Sequence, residues 1–347
     1  MRAEHRLRES IDDLFLPDQA RLGDRTRLTL RQMLRTLVET IARDLRSHAA
    51  ASLAGRGAAI LAADDQVFDR LIRSGLLRDG ALVAELIARV RQDLIGQALP
   101  IAVGSPDMPS LLVQLATSAD GEVARAAQAL LAADSRRRAA LERGEMADVD
   151  LPPALRTELV WLVAAAIRDG DEPEIDQALV AASDHRLAVR AETPGAEAAA
   201  MTLARAIDAR IDERAMLLLD ALGDRRLGLF IAVIAHGLRL SADQVRAIVL
   251  EPDGDRLWLA LRALELDRGV IAQIGLALAD ADPARDIEAL ADQLDAIAAV
   301  PAAAARSALA PLALPRDFRR AIAAVTHRPR ELGWGGNTDG AWAGAWR

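Results

Sequence analysis

Five histidines, His5, His48, His185, His236 and His327, are the first residues to weigh as metal ligands or general bases. A zinc site built on a helix sets two histidines one turn apart with a carboxylate between them, and no pair here has that spacing. His236, beside Gly237 at the end of an apolar stretch, reads instead as a cation set on the free carbonyls of a helix C-terminus. Carboxylates gather in two places: Asp253 and Asp255 flank Gly254, and Asp280, Asp282 and Asp286 surround Pro283. A calcium loop needs more oxygen ligands in a fixed order and a distal bidentate Glu, so both groups read as turn and helix-cap residues. No residue is assigned as catalytic, cofactor-binding or metal-binding.

The nucleophile classes are equally bare. There is no Gly-x-Ser-x-Gly elbow and no Gly-x-Gly-x-x-Gly turn, and no strand for either to follow. Cys is absent, which excludes disulfides, thiol nucleophiles and Cys-ligated clusters or zinc. All 43 residues in the Lys+Arg count are Arg. Without Lys there is no P-loop lysine and no Schiff base.

Two groups remain as candidates for binding a partner. Arg136, Arg137 and Arg138 form the densest basic run and have the forked donors that grip phosphate or carboxylate. Three consecutive residues on a helix point in different directions, however, and such a run commonly forms a solvated face. Trp334, Trp342 and Trp346 lie in the Gly-rich segment from Gly333 to Arg347, where a tryptophan either docks back on its own chain or anchors in a partner's pocket. Trp161 and Trp258 sit on apolar helix faces and read as core.

These groups need elements to hold them, and the composition permits one kind. Hydrophobic residues are 52% of the chain and aromatics only 3%, so the apolar content comes from Ala and Leu, which favour helices. From Thr26 to Leu45, Leu30, Met33, Leu34, Leu37, Val38, Ile41 and Leu45 recur at steps of three and four, and Asp24 stands where an N-cap should. Ala81 to Gln97 repeats the pattern and ends before Pro100. Further helices are expected over 108–116, 122–133, 135–144, 153–169 and 174–184. Others follow Pro194 to a stop at Gly223, and Ser241 with Gln244 has the spacing of a capping box. The fold class is all-α. The expected organisation is an N-terminal segment 1–23, a helical body 24–327 with candidate breaks near 145–152 or 186–195, and a Gly/Trp tail 328–347.

With a net charge of −8, nucleic acid is a poor default partner. The charged N-terminus is followed by no apolar run of secretory or membrane-spanning length, so no transmembrane segment is expected and the cytoplasm is the expected location. Leu227 to Leu238, the most apolar stretch, has the length of a buried helix.

A turn signature recurs weakly. Ala63-Asp64-Asp65-Gln66-Val67 is echoed by Ala119-Asp120-Gly121-Glu122-Val123 and more loosely by Gly170 to Ile175. In stacked helix pairs the Asp caps and the β-branched residue plugs the core, which predicts an irregular α-solenoid of HEAT-like hairpins. Several segments carry a resemblance that implies the same organisation: Asp13 to Leu22, Ala62 to Leu77, Leu111 to Ser135, Asp150 to Leu155, Leu159 to Ile167 and Leu227 to Leu294. Together they resemble an alphaproteobacterial group catalogued as domain of unknown function 2336, whose members are similar to HEAT-like repeats. The stretch Val67-Phe68-Asp69-Arg70 departs from that pattern, where smaller apolar residues are expected. The resemblance implies a fold and no catalytic residue. The expected function is a non-enzymatic scaffold or regulatory adaptor for a protein partner, with a second copy of the chain as a further candidate. The alternatives are an enzyme whose Asp and His meet only in the fold, and an Arg-mediated binder of anions or nucleic acid.

Overall fold

Ala- and Leu-rich segments with apolar residues every three to four positions can hide their backbone and their side chains together only as packed helices. The computed structural model describes residues 24–53, 66–75, 80–101, 109–143, 150–168, 172–191, 194–315 and the single positions 318, 321, 322 and 325. Among the described residues the chain is all helix, with fifteen α-helices and no strand. In order they are α1 (Asp24–Ser52), α2 (Val67–Ser74), α3 (Gly80–Ala98), α4 (Leu111–Ala116), α5 (Gly121–Glu142), α6 (Pro153–Ile167), α7 (Pro173–Ala191) and α8 (Ala196–Ile207). Then come α9 (Ile211–Gly223), α10 (Leu227–Leu238), α11 (Ala242–Val249), α12 (Asp255–Ala263), α13 (Arg268–Ala281), α14 (Ile287–Ala299) and α15 (Ala302–Leu309), closed by a short 3-10 turn at Ala310–Ala313.

The core divides into two clusters that interleave along the chain. The first gathers Leu34, Leu37, Ile41 and Leu45 of α1, Val67, Phe68 and Leu71 of α2, and the inner faces of α6 and α7. The second joins α4, α5 and everything from α8 onward around α10, where Phe230, Ile234 and Ala235 have no exposed surface. Helix α3 belongs to both. Leu82, Leu86 and Val90 enter the first cluster, and Ile95 with the following Leu99 enters the second. Accordingly α1 packs on α6 and α7, while α3 reaches α10, α11 and α13, far away in sequence. Packing is therefore not confined to neighbours in the chain.

Several local expectations are met for the expected reason. Ser241 accepts a hydrogen bond from Gln244 N at 3.2 Å while Gln244 Oε1 accepts one from Ser241 N at 2.8 Å, the reciprocal capping box. Asp120 caps α5 through the N–H groups of Glu122 and Val123, and Asp286 caps α14. Val67, Val123 and Ile175, the three residues that follow the recurring turn, are all buried. Phe68 is buried too, and the Arg35 guanidinium sits 4.6 Å from its ring centroid.

Others are corrected. The break expected between 133 and 135 does not occur: α5 runs through Asp134 and Ser135, because Asp134 is held by Arg226 from outside the helix and has no need to cap a new one. Helix α9 does end at Gly223, but the left-handed residue of that turn is Arg225, at φ 57°, and not the glycine. Trp161 is 37% exposed beside Leu162 on the outer face of α6, whereas Trp258 is buried as expected. Among the described residues no single helix is long and apolar enough to cross a membrane; the apolar pair Ile287–Ala299 and Ala302–Ala313 bends by 108° at Pro301.

Candidate functional site

Helices α8 and α10 pack side by side with α9 between them in the chain, and both begin at one cleft and end at another. They therefore run parallel. The first cleft, about 340 Å³, receives both N-termini and is walled by the last turns of α3 and the middle of α5. The positive ends of two helix dipoles face into it.

One wall is fixed by a buried network of charge. Arg89, 3% exposed, lies 2.7 Å from Glu85 Oε1 one turn earlier and 2.7 Å from Glu197 Oε2. Arg246 of α11 completes the ring, with Nη1 2.5 Å from Glu197, and Nη2 2.8 Å from both oxygens of Glu85 and 2.6 Å from Asp243. Three helices are thereby locked together where the two core clusters meet. Burial opposes the charge of Arg89, yet the Glu197 and Glu85 carboxylates more than offset that and hold its pKa above the ordinary arginine value. Asp150 extends the wall by accepting a hydrogen bond from Ala196 N at 3.2 Å, which satisfies the start of α8.

The opposite wall holds the basic run. Arg136 is exposed, Arg137 turns inward to pair with Asp93 of α3, and Arg138 lines the cleft. The divergence expected of three consecutive helical residues is what separates their roles. Burial pushes the Asp93 carboxyl above its usual range, with Arg137 opposing. Arg226, at the entry to α10, donates to Asp134 at 2.7 Å, and Arg225 donates through Nε to Leu99 O at 2.6 Å. Asp224 accepts the N–H of Leu111. Among the described residues, each carboxylate lining the cleft is thus already held by a donor of the chain.

What remains unspent are donors and one amide. Among the described residues no ion pair holds Arg138, and the main-chain N–H groups of Leu227 and Gly228 meet no acceptor. Gln92 is 6% exposed, and its Oε1 is buried without a hydrogen-bond partner. Its Nε2 lies 3.8 Å from where a Cβ on Gly228 would stand, so the amide sits against the start of α10.

At the far ends of the same helices, a second cleft of about 360 Å³ contains His236 Nε2 2.8 Å from Asp208 Oδ1. The fold has here brought together an Asp and a His from different helices. Among the described residues no Ser, Thr or Cys lines that cleft, and Arg205 and Arg239 stand at the carbonyl ends of α8 and α10, where cations complement the dipoles, with His236 beside them. Among the described residues no group of three or more His, Asp or Glu is placed to hold a metal ion. Trp334, Trp342 and Trp346 lie outside the described residues.

The sequence carried half of the buried network in plain view: Glu85 to Arg89 and Asp243 to Arg246 have the spacings of helical ion pairs. Their joining across 161 positions had no local signal. Compared with family models, curated proteins and solved structures, the chain matches none.

Proposed function

We propose that this chain is a non-enzymatic binding scaffold, an adaptor that presents a preformed cleft to a protein partner in the cytoplasm. The observation that carries this reading is the spent state of the cleft's carboxylates. Asp93 and Glu197, whose pKa values burial raises, are both held against guanidinium groups. A general acid or base must exchange its proton with a substrate, and a carboxylate clamped this way is built to hold a wall in place. Rigid walls lower the cost of ordering a bound segment.

The same reading takes the body as an irregular relative of HEAT-like hairpin arrays, akin to the domain of unknown function 2336 group. Contacts between helices adjacent in the chain, such as α6 with α7, α9 with α10 and α13 with α14, support that lineage. The long-range packing of α3 would be the addition that closes such an array into a body with two clusters.

The test is quantitative crosslinking in native lysate with the full chain, an Arg138→Glu variant and a chain truncated after Thr326. A stoichiometric partner lost with Arg138→Glu supports the cleft as the interface. One lost only on truncation moves the interface to the segment bearing Trp334, Trp342 and Trp346. No partner with any of the three overturns the scaffold reading.

A further inference from the structure

Resting on that scaffold reading, we infer that the cleft at the start of α10 captures the C-terminal residue of a partner polypeptide, taking its free carboxylate, its last amide and a small apolar side chain.

The ligand's chemistry follows from what the cleft leaves unused. Among the described residues its carboxylates are all engaged within the chain, so a cationic ligand finds no free carboxylate there. The unused donors are the Arg138 guanidinium and the N–H groups of Leu227 and Gly228 at the positive end of a twelve-residue helix. Together they fit a planar anion with two oxygens, one on the guanidinium fork and one on the helix end. Gln92 then narrows the choice. A buried amide oxygen without a partner calls for a donor on the ligand, and the amide's nitrogen offers a donor in return. A fully ionised inorganic anion such as sulfate carries no donor. The last residue of a peptide carries an N–H on the same carbon that bears its carboxylate, and a carbonyl just before it.

The floor completes the fit. Leu130, Ala200, Leu227 and Ile231 line the cleft with apolar atoms between its charged walls, and Gly228 leaves room beside Gln92 where any other residue would place a Cβ. A volume of about 340 Å³ suits one residue with its flanking amide better than a folded domain. Capture of a terminal carboxylate by backbone N–H groups is an established mode of peptide recognition, here assembled from a helix end.

The minimal ligand, N-acetyl-L-leucine, tests this on the full chain. With 15N-labelled protein, it should saturably shift the Leu227 and Gly228 amides and the Gln92 side-chain amide. N-acetyl-L-leucinamide, in which an uncharged NH2 replaces one carboxylate oxygen, should bind at least about tenfold more weakly, the scale of one lost charge-assisted hydrogen bond. Arg138→Ala removes an exposed side chain, leaves the fold untouched and should weaken the acid to a similar degree. Equal binding of acid and amide, an equal effect from acetate alone, or no saturable shift overturns the inference. Tighter binding of N-acetyl-L-aspartic acid α-amide would assign the cleft to internal acidic side chains and overturn it as well. Failure here with a partner still crosslinked in lysate would leave the scaffold reading standing and remove only this ligand.

Discussion

Gln92 shows how much one side chain can reveal about purpose. A buried acceptor with no donor costs stability, typically about 1–3 kcal/mol, and nothing in core packing requires an amide at that position. In ligand-free protein, Gln92→Leu should therefore raise the unfolding free energy by about 1 kcal/mol in urea titration. A loss of stability instead would mean that the amide is engaged within the chain. Asp93 makes a second prediction at this scale. Burial raises its pKa in the folded chain above the unfolded value, so the folded state holds the proton more tightly. That contribution is fully present below about pH 4, the ordinary carboxylate range, and is lost as pH rises through the raised value. The stability of the native chain relative to Asp93→Asn should fall as pH rises above about 4 in urea titrations at each pH. A pH-independent difference would show that the pairing with Arg137 cancels the burial.

Single helices were legible where their ends carried their own chemistry. Ser241 and Gln244 announced α11 three residues apart, and Ser241→Ala should cost about 1 kcal/mol, read as a lower midpoint in thermal or urea unfolding. Gly254 precedes α12 at φ 72°, and a Cβ there would come within 2.7 Å of the Trp258 ring. Gly254→Ala should therefore destabilise by more than the Ser241 change, by about 2 kcal/mol, with Trp258 fluorescence reporting the shift. The same logic shows where reading by element failed. Asp134 and Ser135 look like the start of a new helix when only their neighbours are considered, and the partner that makes Asp134 an interior residue lies 92 positions away. Trp161 follows the apolar face of α6 in sequence, yet Leu159, Val160, Val163, Ala164 and Ile167 already fill the contact with α1 and α7, so the tryptophan is left at the edge. The cleft was least legible of all. It is made from the ends of three helices and the middle of a fourth, and Arg138 was visible only as one third of a basic run whose members prove to do three different things.

For the molecule as a whole, the network around Arg246 is the joint between two cores. Removing Arg246 leaves Glu85 and Glu197 buried with one cation between them, so Arg246→Ala should cost about 3–5 kcal/mol. Amide exchange should accelerate in both α3 and α8 if the joint ties the clusters together, whereas acceleration confined to α11 would mean that each cluster stands alone. The interleaving of those clusters also bears on how the chain comes into being. During synthesis α1 emerges well before α6 and α7, the helices that cover it, and Leu99 must wait 126 positions for Arg225, which donates to its carbonyl at the entry to α10. At roughly 5–20 residues per second that is about 6–25 s before the last turn of α3 can reach α10. The order in which the ribosome delivers the helices is therefore not the order in which they can pack, and the nascent chain must carry apolar faces of α1 and α3 exposed until partners far along the sequence have been made.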